Sequence, residues 1–240
     1  MSLRLLFKYT TRSRRSNFLR GIDSIIDNLA DKENYHIYTT FDVDDDKMRP
    51  LPEIKGNHTY IAGTSKSKVD AINRDMDFIN ANYDWDILVN MSDDVVITEK
   101  GFDNIIRYYF NSLVRSESMS GFENTKFIEF VSNEVVNLDQ VIHFPDGNRD
   151  DLLTVSIIGK DYYKRDNYIY NPEYKSLYCD NEAMEVAKQR GCYKFVNKVI
   201  FNHLHPAYNK GIFDAQYQHT ESFGHEDYQT YKRRKANGFS

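Results

Sequence analysis

The sequence has little of what small secreted proteins and membrane proteins rely on. It contains only 2 Cys, and neither lies in a Cys-x-x-Cys pair, which excludes a disulfide framework and a thiolate metal site. No run approaches the roughly 18 apolar residues that a membrane helix needs. The apolar stretch near the N-terminus is interrupted by Arg4 and is too short for the core of a signal peptide. We therefore expect a cytoplasmic protein in a reducing compartment, with no membrane segment.

Two further scarcities narrow the class of protein. Pro and Gly contribute only 5 and 11 of the 240 residues, while aromatic residues reach 14%, which excludes low-complexity and largely disordered chains. Basic residues do not exceed acidic ones: 31 against 36 give a net charge of −5. Because no strongly positive field exists to hold a phosphate backbone, we expect no nucleic-acid partner. The 40% of hydrophobic residues suffice for the core of one large domain or two small ones.

The first hundred residues alternate strand-like with helix-like patterns. Runs rich in β-branched or other apolar side chains occupy 3–7, 35–41, 58–62 and 87–89, and apolar residues recur at helical spacing over 18–29 and 69–79. This alternation predicts an α/β fold with a mostly parallel sheet flanked by helices. Ligands bind such sheets at the carboxyl ends of the strands, so the polar residues that directly follow strands are the candidate site.

The pattern changes after residue 99. We predict a helix over 99–113, loops over 114–125 and 144–151, strands in 126–131 and 152–158, a helix over 180–189, a strand over 193–201 and a charged helix at the C-terminus. Both loops are expected to lie over the site.

Two adjacent carboxylates, Asp93 and Asp94, come just after the strand at 87–89. Like charges held together at a strand end need compensation by a cation, a basic side chain or a proton. A divalent metal ion is one such cation. A Ser-Asp-Asp sequence is also common in exposed turns, where it costs little.

Asp42 and Lys68 also lie at the ends of predicted elements. Asp42 follows a strand directly, where a carboxylate can accept a hydrogen bond from a base or a ribose hydroxyl. We expect the acidic residues 44–46 beside it to form a solvated turn. Lys68 lies at a helix start, where a cation and the helix N-terminus together favour an anion such as a diphosphate. A solvated lysine at a helix start is the alternative.

His203 and His205 lie two residues apart in an extended segment, so both point to the same side. Two such histidines can bind a metal ion, or one can bind while the other packs. Carboxylates with one imidazole suit Mn2+ or Mg2+ better than a structural zinc ion.

The order of these features resembles the nucleotide-binding half of GT-A fold, family-2 glycosyltransferases. The resemblance covers about residues 3–105. In order along the chain, a strand is followed by Thr-Thr and a helix, and a second strand is followed by Asp42. The segment TSKSKVDAIN comes next, and then a strand that leads into Ser-Asp-Asp. It looks closest to the spore coat polysaccharide glycosyltransferase of bacilli, in which Thr-Asp-Asp replaces the usual DxD motif. The C-terminal segments also look like glycosyltransferase-like proteins of phage and environmental sequences. The resemblance implies one GT-A domain, with a nucleotide-sugar-binding half (1–105) and an acceptor-binding half (106–240).

The resemblance also implies roles for individual residues. Thr10, Asp42, Lys68 and Asp93 match nucleotide-contacting positions, and Arg12 in the segment after Thr10 is assigned with them. Asp94 matches the metal-binding carboxylate, and His205, placed ahead of His203, a further metal ligand. Asp180 matches the catalytic base, with Glu182 in reserve. The other interpretation of this acidic pair is helix capping, with Asp180 as the N-cap.

The implied activity is a metal-dependent transfer of one sugar from a nucleotide diphosphate sugar, a UDP-hexose, to a hydroxyl acceptor with inversion, using Mn2+ or Mg2+. No Q/RxxRW string is present, which implies a single transfer rather than a processive synthase. Two alternatives stay open: a nucleotide-diphosphate-binding protein without activity, since fold does not fix chemistry, and a sugar nucleotidyltransferase, which usually has a Gly-rich basic loop that TTRSRRSN does not provide.

Overall fold

The computed structural model describes residues 2–122 and 125–240, and the side chains of all of these except residues 112–134. The described residues form eleven strands: β1 Leu5–Thr10, β2 Tyr35–Asp42, β3 His58–Gly63, β4 Ile87–Ser92, β5 Val95–Ile97, β6 Asn111–Phe122, β7 Thr125–Val136, β8 Val141–His143, β9 Ile157–Gly159, β10 Tyr193–Phe195 and β11 Phe201–His203.

Eight α-helices accompany them over the same described ranges. They are α1 Arg15–Asn28, α2 Lys68–Asn73, α3 Met76–Asn82, α4 Phe102–Phe110, α5 Lys160–Tyr163, α6 Cys179–Gln189, α7 Ala215–Glu221 and α8 Gly224–Ala236.

Seven of the strands form one sheet in the order β10-β8-β9-β4-β1-β2-β3. Neighbours are parallel throughout β4-β1-β2-β3 and in β8-β10, whereas β9 runs antiparallel to both β4 and β8. The predicted mostly parallel sheet is therefore confirmed. The four parallel strands end together, and the register pairs Thr10 of β1 with Thr40 of β2 and with Ser92 of β4.

Helices pack on both faces of this sheet because its central strands are apolar on both sides. Along β1, Leu5, Phe7 and Tyr9 face a core that includes α1 and α4. Leu6 faces the opposite core, to which α2, α3, α5 and α6 contribute. Lys8 points to the same side as Leu6 by the alternation of a strand, and its side chain is completely buried.

Four sequence-based boundaries were wrong. The helix expected over 69–79 is two helices, because Asp75 takes a left-handed conformation (φ 73°) that ends α2 before α3 begins. The strand expected over 193–201 is β10 and β11, which belong to different sheets. The predicted helix over 99–113 is the shorter α4, and the strand expected over 152–158 contributes only the short β9.

The segment expected as a loop over 114–125 is largely part of the antiparallel hairpin of β6 and β7. Residues 123 and 124 of that segment, and its side chains up to residue 125, lie outside what the structure describes. The other expected loop, 144–151, contains no helix or strand, as predicted.

Antiparallel pairing of β5 with β11 brings the far end of the chain back to the site. The register pairs Val95 with His203, and the amide of Leu204 donates to the Asp94 carbonyl oxygen at 2.7 Å. This pairing carries His203 and the following segment to the carboxyl edge of the main sheet.

Candidate functional site

A cavity of about 250 Å³ lies over the carboxyl ends of β1, β2 and β4, and α7 closes one side of it. Six of the eight side chains predicted for the site contribute to its lining: Thr10, Arg12, Asp42, Lys68, Asp93 and Asp94. The strand register explains why these residues lie together. Parallel strands in register end at the same edge of the sheet, so the residues that follow each strand meet there.

Asp42 lies at one end of the cavity between two arginines. Arg12 pairs with its Oδ2 atom, and the Nη1 atom of Arg74 lies 3.1 Å from its Oδ1 atom. Arg12 also forms a two-pronged pair with the exposed Asp44, with both N–O distances at 2.9 Å. Arg12, Asp42 and Asp44 line this end of the cavity, which therefore presents a guanidinium donor beside carboxylate acceptors, while Arg74 holds Asp42 from outside the lining.

Sequence reasoning missed Arg74. The glycine at position 63, at the end of β3, leaves the space that the Arg74 guanidinium occupies. A Cβ atom on Gly63 would lie 2.8 Å from the Arg74 Cζ atom, so that position is open only to glycine unless the guanidinium moves. The expectation of a solvated turn at 44–46 also fails in part. Asp45 is buried and accepts hydrogen bonds from the backbone and the hydroxyl of Ser13, which anchors the loop after β1.

Asp93 and Asp94 form the opposite end of the cavity, and both are buried. Asp93 accepts from the Thr11 hydroxyl at 3.0 Å and from Arg14 at 3.1 Å. Burial and the neighbouring charge of Asp94 raise the pKa of Asp93 to about 6, against the opposing effect of Arg14. The pair is therefore not an exposed turn, and its repulsion is a real cost of the folded state.

Asp94 is held by hydroxyl groups and by an imidazole. It accepts from Ser92 and from the Tyr217 hydroxyl at 2.7 Å, and its Oδ2 atom lies 3.4 Å from His203 Nε2. Burial alone would raise the pKa of Asp94, but the hydrogen bond and the charge of His203 hold it well below its ordinary value.

Of the two candidate histidines, His203 is the one that faces Asp94. Its Nδ1 atom lies 3.1 Å from the buried carboxylate of Asp146. Burial would lower the pKa of His203, but the two carboxylates raise it to about 9. His205, the histidine that the resemblance favoured, instead accepts through Nδ1 from the Ala207 amide at 3.2 Å. The two rings lie 5.1 Å apart, centroid to centroid.

Asp94 and His203 fit a divalent metal ion. A carboxylate oxygen suits Mn2+ or Mg2+, and the His203 nitrogen would join it on losing its proton, while the Asp146 carboxylate orients the ring as carboxylates do behind metal-binding histidines. Mg2+ commonly takes only one or two protein carboxylates and completes its shell with substrate phosphates and water. Within the described residues, no three His, Cys, Asp or Glu side chains form a cage of their own.

Lys68 begins α2, where the Ser67 hydroxyl caps the helix by accepting from the Asp70 amide at 3.1 Å. Its charge acts on the pKa of two carboxylates, Asp94 and Asp180. The positive charge of Lys68 therefore acts both on the cavity and on the start of α6.

Asp180 lies in the first turn of α6 and is partly buried. Burial raises its pKa, and Lys68 opposes that rise. The N-cap of α6 is Tyr178 rather than Asp180, and the Asp180 carboxylate accepts from the next amide, that of Asn181, at 2.9 Å. Glu182 is buried against Arg234 and the Tyr174 hydroxyl, so a structural ion pair uses the carboxylate that was held in reserve as a base.

The wall formed by α7 is tied to both carboxylates by residues that sequence reasoning left out. Arg14 bonds Asp93 and also pairs with Asp214, the N-cap of α7, while its guanidinium lies 4.1 Å over the ring of Tyr217. The Tyr217 hydroxyl in turn donates to Asp94. Tyr217 is 123 residues from Asp94 along the chain, and no local pattern marks such a contact.

The sequence matches no protein-family model and no curated protein. Its fold is similar to solved structures of sugar transferases. One is S. aureus TarS, residues 1–349, in complex with UDP-GlcNAc, with a TM-score of 0.55, 10% identity, and coverage of 83% of this chain and 58% of that one. Another is the mannosyltransferase PcManGT from Pyrobaculum calidifontis in complex with GDP-Man and Mn2+, with a TM-score of 0.53, 8% identity, and coverage of 83% and 55%.

The likeness to these structures shows the fold alone: the chain has the GT-A architecture, a mostly parallel sheet flanked by helices. The chain spans only part of the proteins it matches, down to 36% of a longer TarS structure. The narrower resemblances to the spore coat enzyme and to phage proteins stay predictions. None of the helices in the described part of the chain combines the length and hydrophobicity of a membrane span.

Proposed function

We propose that the protein is a metal-dependent glycosyltransferase that moves one sugar from a nucleotide diphosphate sugar, a UDP-hexose, to a hydroxyl acceptor with inversion. One observation carries the proposal: a single cavity is lined by Asp42 and Arg12 at one end and by Asp93 and Asp94 at the other, and Arg74 pairs with Asp42 from outside the lining. A nucleotide diphosphate needs both, since its base is read by fixed donors and acceptors and its diphosphate by cations.

At the first end, Asp42 accepts from a base N–H while Arg12 donates to base or ribose oxygens, and Arg74 holds the Asp42 carboxylate. Thr10 frames this part of the cavity from the end of β1. The nucleotides named for the similar structures, UDP-GlcNAc and GDP-Man, support a nucleotide diphosphate sugar as the donor class. They do not distinguish uracil from guanine, so UDP is part of the proposal.

At the other end, Asp94 and His203 would hold a divalent ion, with Asp146 orienting the imidazole. His203 takes this role in place of His205 because His203 is the ring that faces Asp94. When bound, the ion would supply Lewis-acid stabilisation of the charge on the departing diphosphate. Lys68 adds a fixed positive charge beside it, and Arg14 neutralises Asp93.

Asp180 takes the proton from the acceptor hydroxyl as that oxygen attacks the sugar carbon and the bond from carbon to diphosphate breaks. The burial that raises its pKa makes it a stronger base than an exposed aspartate. The acceptor would bind over the half of the chain from residue 106 onward, beside the loop 144–151, and the donor over residues 1–105.

The test is a nucleotide-release assay. The protein is incubated with Mn2+ and a panel of UDP- and GDP-sugars, and free UDP or GDP is measured with and without a chelator. Slow, chelator-sensitive release of one nucleoside diphosphate supports the proposal. Release of pyrophosphate from a nucleoside triphosphate and a sugar phosphate would indicate a nucleotidyltransferase instead. Tight binding with no turnover for any donor or added acceptor would indicate a nucleotide-binding protein without activity.

A further inference from the structure

Lys8 is a buried lysine for which the sugar transfer proposed above has no use. Its side chain, in the middle of β1, has no exposed surface. The ammonium group donates to the Thr40 hydroxyl on β2 and, at 3.0 Å, to the Ala71 carbonyl on α2. Burying a charge between a sheet and a helix is costly, and a methionine would fill the same space at less cost.

The contacts of Lys8 continue outward to the cavity. The Thr40 hydroxyl, which accepts from Lys8, donates to Asp75 at 2.7 Å. Asp75 pairs with Arg74 at 3.2 Å, and Arg74 pairs with Asp42 at 3.1 Å. From Asp75 to Asp42 the groups alternate in charge, and Lys8 and Thr40 join this row through hydrogen bonds, so each group is held by the partner on either side.

Two backbone features, at Asp75 and at Gly63, allow this series of contacts to form. Asp75 takes a left-handed conformation (φ 73°) at the start of α3 and yet does not cap that helix with its side chain. The carboxylate is turned instead toward Thr40 and Arg74. A left-handed conformation is unfavourable for a residue with a side chain, and such residues persist where the surrounding structure holds them. Gly63 supplies the space that the Arg74 guanidinium occupies.

We propose that Lys8 is a positioning residue for the base end of the cavity: through Thr40 and Asp75 it fixes Arg74, and through Arg74 it fixes the carboxylate of Asp42. The proposal rests on the nucleotide-binding role proposed above. It adds that recognition of the base depends on a lysine that touches no ligand. Three residues, Thr40, Asp75 and Arg74, separate Lys8 from Asp42. The hydrogen bonds of Asp93 and Asp94 do not involve Lys8.

The primary test uses the full chain with Lys8→Met, which keeps the length and apolar stem of the side chain and removes the ammonium group. Calorimetry with Mn2+ measures the affinity for UDP, for GDP and for inorganic pyrophosphate. Loss of positioning should weaken the better-bound nucleotide about 10-fold, the range found for mutations along coupled networks. Pyrophosphate affinity should change less than twofold, because it probes only the Asp93 and Asp94 end.

Thr40 provides a matched pair of variants at the next contact. Thr40→Val keeps the shape and removes the hydroxyl, so it should show the same selective loss as Lys8→Met. Thr40→Ser restores the hydroxyl and should restore most of the nucleotide affinity. The double variant of Lys8→Met and Thr40→Val should be no worse than either single variant, because both break the same path.

A measurement without any ligand separates this proposal from the proposed function. The Arg74 Nε–H group donates to Asp75 and should give a slowly exchanging NMR signal, assigned by its absence in Arg74→Lys. That signal should be lost in Lys8→Met and Thr40→Val and kept in Thr40→Ser. Retention in a folded Lys8→Met protein would overturn the positioning role even if no nucleotide binds. An equal loss of nucleotide and pyrophosphate affinity would overturn it as well. Should Lys8→Met not fold, the Arg74 signal in the two Thr40 variants decides the matter rather than their nucleotide affinity, because Thr40 also lines the cavity.

Discussion

The two ends of the cavity balance their negative charges in different ways. At the end proposed for the base, Asp42 lies between the guanidinium groups of Arg12 and Arg74, which match a carboxylate in geometry. At the end proposed for the diphosphate, Asp93 pairs with Arg14, whereas the partners of Asp94 among the described side chains are two hydroxyl groups and the imidazole of His203.

This difference makes one end of the cavity rigid, whereas the other end can exchange a proton for a metal ion. A carboxylate fixed by two guanidinium groups keeps one geometry and can discriminate between ligands by shape and hydrogen bonding. A carboxylate balanced by an imidazolium can exchange the imidazole proton for a metal ion, because metal binding to histidine releases that proton. The structure thus combines a fixed end that suits a base with an adaptable end that suits a metal and a diphosphate.

The most severe change at the adaptable end is Asp94→Asn. Removing the charged metal ligand should lower the transfer rate roughly 1000-fold, since a catalytic metal ion supplies several kcal/mol of transition-state stabilisation. Calorimetry should show that UDP binding no longer increases with Mn2+. The melting temperature should fall slightly, because the Asp94 carboxylate has a depressed pKa and is well bonded in the folded state.

Three controls sharpen that result. His203→Ala should also lose the effect of Mn2+ on UDP binding, whereas His205→Ala should keep it, since only His203 faces Asp94. Asp151→Asn changes an exposed carboxylate paired with Arg149 and should leave binding as in the wild type. An unchanged response to Mn2+ in Asp94→Asn would remove Asp94 from the metal site, and loss in His205→Ala alone would restore the ligand that the resemblance favoured.

Asp180→Asn should leave both ends of the cavity intact while abolishing most of the chemistry. An amide cannot take up a proton at neutral pH, so transfer should fall by ~100-fold or more, the typical contribution of a general base. UDP affinity and melting temperature should stay near the wild-type values, because an Asn side chain can still accept from the Asn181 amide and because Asp180 lines no part of the cavity. Full transfer activity in this variant would point to another base or to a retaining mechanism.

At the fixed end, Asp42→Ala should reduce the preference for UDP over inorganic pyrophosphate. A buried hydrogen-bonding partner left without its acceptor costs about 1 to 3 kcal/mol, which is roughly 5- to 150-fold in relative affinity. The melting temperature should also fall, since Arg12 and Arg74 lose a shared partner. Equal losses for the two ligands, measured by calorimetry with Mn2+, would place the base elsewhere.

The sequence predicted the part of the site that strand order determines. Thr10, Asp42 and Asp94 end up together because β1, β2 and β4 are parallel and in register, and the hydrophobic pattern encodes that arrangement. The side chains that contact these residues could not be predicted from the sequence. Asp146 and Tyr217 reach the site from loops and a helix far along the chain, and their contacts depend on packing that no local pattern records.

The choice between His203 and His205 illustrates the same limit. Both follow the alternation of an extended segment, so periodicity cannot separate them. The register of β5 with β11 and the buried carboxylate of Asp146 decide which ring faces Asp94. Likewise, the break between α2 and α3 comes from the left-handed Asp75, whose side chain is turned toward Thr40 and Arg74 rather than used as a helix cap.

The smallest expected effect concerns the charge behind the fixed end and is read from stability against pH. Burial lowers the pKa of Lys8 to about 7 from its ordinary 10.5, Asp75 opposes this shift, and Arg74 adds to it. Between those two pH values the unfolded chain binds a proton that the folded chain does not, so the free energy of unfolding should rise with pH. From pH 7 to 8 the Lys8 contribution to that rise is about 1 kcal/mol, given 1.36 kcal/mol per pKa unit and partial titration at pH 7.

Lys8→Met has no such group, so urea unfolding of the two proteins at pH 7.0, 7.5 and 8.0 should show the wild type gaining about that amount relative to the variant. Other titrating groups are common to both proteins and cancel in the difference. Parallel stability curves would mean that the ammonium group keeps its proton in the folded core throughout this range.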